Sequence, residues 1–182
     1  MEKKKAVFLD RDGTLIEEVD FLSTVEETRL FPFTTEALLL LKEAGFELVV
    51  VTNQSGIGRG FFDAKAVNAI HEKIRLALKA AGIEIASFHF CPHLPDAGCE
   101  CRKPNTGMIR QAMEVNDYDL GSSWTIGDKE LDLGLGVNAG TRTTLVRTGY
   151  GSTTEKSLEL KPDIVADNLL DAARRIVESH VD

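Results

Sequence analysis

The sequence contains no long apolar run, since the longest are Ala37–Leu41 and Leu48–Val51. These are far shorter than the roughly 20 apolar residues that cross a bilayer. The lysines at the N-terminus are followed by only four apolar residues before Asp10, too few for a secretory signal peptide. We therefore expect a cytoplasmic protein with no membrane-spanning segment.

Positive charge is also scarce. Against 29 acidic residues the chain has 21 basic ones, which gives a net charge of −8. A surface of this sign repels nucleic acid and anionic lipid. We expect no nucleic-acid partner, and any anionic ligand has to be bound by a local group of cations.

Cysteine is rare and confined to one place. The three cysteines, Cys91, Cys99 and Cys101, lie within eleven residues, and an odd, clustered set does not form a disulfide framework. The remaining composition is ordinary, with 43% hydrophobic residues among 182. This length and composition predict a single globular domain over residues 1–182.

Short apolar runs alternate with helical patterns along the chain. Strands are predicted at 5–10, 46–52, 86–90, 123–126, 143–146 and 163–166. Helices are predicted from a cap at Thr34 or Thr35 to Gly45, from near Asp63 to Gly82, over 106–115, through the glycines after Asp128, and over 169–179; residues 147–162 are predicted as a loop. This alternation predicts an α/β fold in three layers, a doubly wound parallel sheet with helices on both faces.

Polar residues follow four of the predicted strands. Asp10, Thr52, Cys91 and Asp128 each stand at the carboxyl end of a strand, and parallel sheets bind ligands beyond that edge. Convergence of these residues at one edge predicts an active site there.

Asp10 and Asp12 are two residues apart in DRDGT. Such a pair is also found in an ordinary solvated turn, but Asp128 of GDKELD is predicted at the same edge. Three carboxylates repel one another unless a cation lies between them, and oxygen ligands of this kind suit Mg²⁺. With the cation of Lys103 and the hydroxyl of Thr52, the set describes a phosphoryl-transfer site.

Cys91, His93, Cys99 and Cys101 form the pattern C-x-H-x5-C-x-C. Three thiolates and one imidazole complete a tetrahedral zinc site with no open position, so the expected zinc is structural. The alternative is a group of buried reduced cysteines. A zinc-bound loop over residues 91–101 would hold Arg102 and Lys103 rigidly beside the phosphate site.

DRDGT, Thr52 of VVVTNQ, Lys103 of CRKP and GDKELD, in this order, resemble the four motifs of the haloacid dehalogenase superfamily. The resemblance implies that Asp10 is the nucleophile that forms an aspartyl-phosphate and that Asp12 is the general acid and base. It implies that Thr52 and Lys103 hold the phosphoryl oxygens. It also implies that Asp10, the Asp12 backbone carbonyl and Asp128 bind Mg²⁺, supported by Asp132.

The zinc loop resembles the branch of this superfamily that contains heptose 1,7-bisphosphate 7-phosphatases and histidinol-phosphate phosphatases. The motifs favour the heptose enzymes, whereas the short zinc-loop spacing favours the histidinol-phosphate enzymes, which remain the alternative. A phosphorylated small molecule is the expected substrate in both cases. The contacts expected from the resemblance and from the cations near the site are Arg11, Glu18, Val19, Asp20, Phe21, Asn53, Gln54, Ser55, Arg59, Arg102 and Lys129.

The segment from Leu15 to Phe33 is too short for a large cap domain, so we expect a flap beside an open site and a monomeric protein. The non-enzymatic alternative is a phospho-accepting receiver domain, which also uses clustered aspartates, a threonine, a lysine and Mg²⁺. In that class the acceptor aspartate follows the third strand, whereas here that position is Cys91.

Overall fold

Six parallel strands form one sheet at the centre of the protein, in a computed structural model that describes residues 3–180. The spatial order is β3-β2-β1-β4-β5-β6. The strands are β1 (Lys5–Leu9), β2 (Phe46–Asn53), β3 (Ser87–Cys91), β4 (Trp124–Gly127), β5 (Arg142–Val146) and β6 (Ile164–Ala166). All six predicted strands are confirmed, with ends shifted by about one residue.

Six helices connect or follow these strands. They are α1 (Thr34–Glu43), α2 (Ala64–Ala80), α3 (Gly107–Met113), α4 (Glu130–Ala139), α5 (Gly151–Ser157) and α6 (Leu169–Glu178). Among the helices described between residues 3 and 180, none combines the length and hydrophobicity of a membrane-spanning segment.

Both faces of the sheet are covered, which explains why its central strands are apolar throughout. Val7 and Leu9 of β1 pack into one hydrophobic cluster with α1, α2 and α6. Ala6 and Phe8 point to the opposite face and pack with residues of α3 and α4. The doubly wound, three-layer fold predicted from the sequence is therefore confirmed, and residues 3–180 include no large cap domain.

The prediction of a loop over residues 147–162 is wrong, because α5 lies within it. Its sequence, GSTTEKS, consists mainly of weak helix formers, so local propensity gives little sign of a helix. Tertiary hydrogen bonds hold this segment: the backbone N–H of Tyr150 donates to Asp128 Oδ2 at 2.8 Å, and the Thr154 hydroxyl donates to the Asp128 carbonyl at 2.9 Å.

The predicted threonine cap of α1 is also wrong. Phe33 occupies the N-cap position without a side-chain cap, because the hydroxyl of Thr34 instead donates to the carbonyl of Leu15 at 2.7 Å. This bond ties α1 to the segment after β1. The predicted start of α2 near Asp63 is confirmed, and Asp63 caps this helix by accepting a hydrogen bond from the Ala66 amide at 3.0 Å.

The topology explains where the site lies. The chain moves outward from β1 through β2 to β3, then returns to place β4 on the other side of β1. A crevice opens between the carboxyl ends of β1 and β4, where the connections diverge in opposite directions. Asp10 and Asp128 directly follow these two strands.

Candidate active site

Three buried carboxylates meet in this crevice. Asp10 follows β1, Asp128 follows β4, and Asp132 lies in the first turn of α4. One carboxylate oxygen from each lies within 4.8 Å of those from the other two. All three side chains are at least nine-tenths buried.

A buried lysine joins two of these acids. The ammonium of Lys103 donates to Asp10 Oδ1 at 2.8 Å, to Asp132 Oδ1 at 2.6 Å and to the Val51 carbonyl at 2.9 Å. Burial on its own would lower the pKa of Lys103, but the two carboxylates raise it above its ordinary value. The lysine is therefore a fixed positive charge.

One lysine does not balance three carboxylates. Burial favours a higher pKa for Asp10, but Lys103 and Lys129 lower it, so Asp10 stays ionised. Burial and the charge of Asp10 raise the pKa of Asp128 to about 8 and that of Asp132 to about 6. Within the described residues, Asp128 Oδ1 is buried without a hydrogen-bond partner. These oxygen ligands and their excess negative charge fit a divalent cation such as Mg²⁺.

Two glycines allow the acids to come this close. A Cβ on Gly13 would lie 2.4 Å from Asp128 Oδ2, and its φ of +80° is left-handed. A Cβ on Gly127 would lie 2.2 Å from the Asp132 carboxylate. The glycines of DRDGT and GDKELD are therefore steric requirements of the carboxylate cluster.

The carboxylate of Asp12, two residues after Asp10, is contacted by three side chains. Arg11 donates to both carboxylate oxygens at 3.0 Å. The Gln54 amide donates to Oδ2 at 2.9 Å, and the Thr52 hydroxyl lies 3.5 Å from the same oxygen. The sequence therefore brings a second, separately oriented acid beside the buried cluster.

Two adjoining cavities open onto these groups and share Asp12, Asn53, Ser55 and Lys129. The inner cavity, of about 140 Å³, is lined by Asp10, Asp12, Thr52, Asn53, Ser55, Arg102, Lys103, Lys129, Leu131 and Asp132. The outer cavity, of about 210 Å³, is lined by Asp12, Glu18, Val19, Asp20, Phe21, Leu22, Asn53, Gln54, Ser55, Gly56, Phe62, Lys129 and Tyr150.

Lys129 and Tyr150 form one wall of the outer cavity. The Lys129 ammonium lies 4.8 Å from the centre of the Tyr150 ring and 3.7 Å from Glu18 Oε2. The Tyr150 hydroxyl donates to Asp20 at 2.9 Å, which joins α5 to the flap. Burial, reinforced by Asp12 and opposed by Lys129, raises the pKa of Glu18 to about 7.

Cys91, His93, Cys99 and Cys101 come together at the end of β3. Cys91 Sγ lies 3.1 Å from Cys101 Sγ and 3.6 Å from Cys99 Sγ, and His93 Nδ1 lies 3.2 Å from Cys101 Sγ. A tetrahedral zinc with Zn–S bonds of about 2.3 Å sets its ligand atoms roughly 3.5–3.8 Å apart. The distances from Cys91 and Cys101 to Cys99 and from Cys91 to His93, 3.5–3.6 Å, match this spacing, whereas the contacts of Cys101 with Cys91 and His93 are several tenths of an ångström shorter. The four ligand atoms are therefore grouped as around one metal ion, in a slightly tighter arrangement.

The cysteine cluster is connected to the carboxylate site through short contacts. Asn53 Oδ1 accepts from the Lys103 amide at 3.0 Å, and the Gly58 amide donates to the Pro92 carbonyl at 2.9 Å. The guanidinium of Arg102 lies 3.4 Å from the His93 carbonyl. The 91–101 loop therefore contacts Arg102 directly, whereas the backbone of Lys103 is held by Asn53 at the end of β2.

Two of the predicted contact residues do not line either cavity. Arg11 is fully buried behind Asp12, and Arg59 lies on the outside of Phe21, 5.6 Å from its ring centre. Their roles as substrate contacts stay predictions. All the other predicted contacts line one of the two cavities.

Sequence reasoning missed five lining residues: Leu22, Gly56, Phe62, Leu131 and Tyr150. Tyr150 belongs to the segment that was predicted as a loop, and its place beside Lys129 depends on the fold of α5. A tyrosine directly after the TG turn of VRTGY was the available signal, because it follows β5 at the edge where the other site residues meet.

Comparison with known proteins identifies relatives over the full length. A HAD-hydrolase-like family model matches residues 100–172. D-glycero-β-D-manno-heptose-1,7-bisphosphate 7-phosphatase of Pseudomonas putida is 35% identical over 174 residues, covering 95% of this chain and 99% of that protein.

A solved structure gives the same result. The D,D-heptose 1,7-bisphosphate phosphatase from B. bronchiseptica, complexed with magnesium and phosphate, superposes with a TM-score of 0.89 at 36% identity, covering 96% of this chain and 99% of that one. The histidine biosynthesis bifunctional protein HisB of Campylobacter jejuni subsp. doylei is 40% identical over 159 residues, covering 86% of this chain and 44% of that protein.

Proposed function

The chain belongs to the haloacid dehalogenase superfamily of phosphatases, and we propose that it removes the 7-phosphate of D-glycero-D-manno-heptose 1,7-bisphosphate. The observation that carries this is the buried Asp10–Lys103 pair beside Asp128, with Asp12 at the junction of two cavities. The full-length similarity to named heptose bisphosphate phosphatases supports the substrate.

In the first step, a carboxylate oxygen of Asp10 attacks phosphorus, and the bond from phosphorus to the sugar oxygen breaks. Asp12 gives its proton to that leaving oxygen. Because Lys103 holds Asp10 Oδ1 at 2.8 Å, the nucleophile is ionised and fixed before the substrate arrives. The product of this step is an aspartyl-phosphate and a free hydroxyl on the sugar.

In the second step, water attacks the phosphorus of the aspartyl-phosphate while Asp12, now ionised, takes the proton of that water. The bond from phosphorus to Asp10 breaks, which restores the carboxylate and releases inorganic phosphate. Asp12 thus serves as the acid of the first step and the base of the second. Its place in the lining of both cavities is consistent with this double role.

The phosphoryl oxygens carry negative charge that has to be neutralised during both steps. Thr52 and Lys103 line the inner cavity and can donate to these oxygens. Mg²⁺, held by Asp10, Asp128 and the Asp12 carbonyl with Asp132 in support, would neutralise the phosphoryl charge. Asp128 Oδ1, which is buried without a hydrogen-bond partner among residues 3–180, supports this assignment.

The outer cavity accepts the rest of the substrate. A bisphosphate brings a second dianion. Besides Lys103, which is assigned to the reacting phosphoryl group, the cations that line the cavities are Arg102 in the inner one and Lys129 in both. Glu18 and Asp20 offer acceptors for the sugar hydroxyls. We assign the distal phosphate to the cations and the sugar to the acids of the flap.

Histidinol phosphate is the second candidate substrate. Its amine and imidazole would suit the acids Asp12, Glu18 and Asp20 of the outer cavity. The similarity to a histidine-biosynthesis protein favours the same alternative. A receiver domain is not supported, because the relatives are phosphatases and because Asp10 follows β1.

The cysteine cluster is assigned as a structural zinc site that holds Arg102 and Lys103 in place. Three thiolates and one imidazole leave no position for a catalytic water. Reduced cysteines fit the reducing cytoplasm. We further propose that the chain acts as one domain and as a monomer.

The proposal is tested by incubating the protein with Mg²⁺ and each anomer of the bisphosphate and following the products by ³¹P NMR. We expect the 7-phosphate signal to be replaced by inorganic phosphate while the 1-phosphate remains. Asp10→Asn is the matched control, which keeps the size of the side chain and should release no phosphate. Loss of the 1-phosphate, or release by the variant, would contradict the proposal.

A further inference from the structure

A buried arginine lies directly behind the proposed acid and base. The side chain of Arg11 is fully buried, and its Nε and Nη2 reach Asp12 Oδ2 and Oδ1, each at 3.0 Å. A guanidinium in this position needs partners for its remaining donors, because an unpaired buried charge is strongly destabilising. The bidentate contact fixes the plane of the Asp12 carboxylate.

The third nitrogen of this guanidinium, Nη1, lies against a histidine of α2. Arg11 Nη1 is 3.4 Å from Nε2 of His71, which is itself buried. Arginine can only donate, so His71 Nε2 has to accept, and the ring has to be neutral. Burial, with the charge of Arg11 in support, lowers the pKa of His71 to about 3.

Packing leaves His71 little freedom to turn. Its ring is stacked on Phe88 of β3, with 4.8 Å between ring centres and 25° between planes, and it meets the Phe90 ring edge to face, with 6.0 Å between ring centres. The ring is thereby anchored to the sheet, on the strand that leads into the cysteine loop. A rigid acceptor at this point fixes the rotation of the arginine.

We propose that His71 is a positioning residue for proton transfer, acting through Arg11 on the carboxylate of Asp12. This inference rests on the proposed function, since it concerns the acid that protonates the leaving oxygen. His71 touches neither cavity. Its acceptor nitrogen holds the guanidinium, and the guanidinium fixes the plane of the Asp12 carboxylate, which lines both cavities.

Leaving groups differ in how strongly their departure depends on protonation by Asp12. When the bond from phosphorus to a sugar oxygen breaks, the alkoxide requires the proton from Asp12. A p-nitrophenolate leaves without one. The ratio of kcat/KM for a sugar phosphate to kcat/KM for p-nitrophenyl phosphate therefore reports proton transfer in the first step, and the fraction of folded enzyme cancels from it.

The experiment measures this ratio in the Mg²⁺-loaded enzyme for the wild type and three variants. His71→Phe removes the acceptor and keeps a ring on Phe88. His71→Gln restores an acceptor near the place of Nε2. Leu78→Ala is the packing control, because it removes a buried side chain from α2 about two turns after His71 and leaves both the Phe88 stacking and the contact between His71 and Arg11 in place.

For His71→Phe we expect the ratio to fall about tenfold, a part of the 10²–10⁴-fold contribution of a general acid. His71→Gln should recover most of it, and Leu78→Ala should keep the wild-type ratio even where it lowers Tm. An active wild type whose ratio is the same in His71→Phe would overturn the positioning role alone. A wild type inactive on both substrates would overturn the proposed function and this inference with it.

Discussion

Replacing Asp128 by asparagine should stabilise the metal-free protein at pH 8 while it abolishes phosphatase activity. In the native side chain Oδ2 accepts from the Tyr150 amide at 2.8 Å, and Oδ1 is buried without a partner in the described part of the chain. Asparagine keeps one acceptor for that amide. Its NH₂ group places a donor, in place of a charge, among the carboxylates of Asp10 and Asp132.

The size of the expected stabilisation follows from the pKa of Asp128, which is raised from 3.8 to about 8 by burial and by Asp10. Because the folded state binds this proton more tightly than the unfolded state, stability falls as pH rises from about 4 to 8. At about 1.4 kcal/mol per unit, ionising Asp128 destabilises the metal-free fold by on the order of 5 kcal/mol. Asparagine removes this cost, which should raise Tm by roughly 10 °C at pH 8.

Thermal unfolding in EDTA at pH 5 and pH 8 tests this prediction. The gain in Tm from Asp128→Asn should be large at pH 8 and much smaller at pH 5, where Asp128 is protonated in the wild type. Adding Mg²⁺ at pH 8 should stabilise the wild type and have little effect on the variant. Asp117→Asn, at an aspartate whose side chain is 67% exposed, is the control and should change little. A variant that is less stable than the wild type at pH 8 would refute the reasoning.

Three further substitutions have separable effects. Lys103→Met should lower kcat/KM by about 10²–10³-fold, as loss of an oxyanion donor does; activity within about tenfold of the wild type would contradict its role. Elemental analysis should find one zinc per chain in the wild type and none in Cys99→Ser, which should still bind Mg²⁺ by calorimetry. A wild type that is folded, reduced and free of zinc would rule out the zinc site. Tyr150→Phe removes the 2.9 Å hydrogen bond to Asp20. It should raise KM for the heptose bisphosphate about threefold to tenfold with kcat unchanged. An unchanged KM would show that substrate binding by the flap does not depend on this hydrogen bond.

The sequence predicts the sheet and the carboxylate cluster well because both depend on local signals. Each strand is a short apolar run that ends in a polar turn, and parallel topology then brings the residues after β1 and β4 together. Asp10 and Asp128 could therefore be placed at one edge without coordinates. The C-x-H-x5-C-x-C spacing likewise predicts the cysteine cluster, because a loop this short keeps all four side chains within reach of one metal ion.

Other features depend on contacts that are distant in sequence. The helix α5 forms from weak helix formers because Tyr150 and Thr154 bond to Asp128, more than 20 residues away. The full burial of Arg11 depends on His71, 60 residues further along the chain. No periodicity or spacing encodes such pairs, so the loop predicted over 147–162 was wrong and the histidine was not recognised.

The most direct test of the central claim compares kcat/KM for D-glycero-D-manno-heptose 1,7-bisphosphate and histidinol phosphate in Mg²⁺, with release of inorganic phosphate as the readout. We predict a preference of a hundredfold or more for the bisphosphate, about 2.7 kcal/mol of transition-state discrimination. An equal or larger value for histidinol phosphate would contradict the substrate assignment.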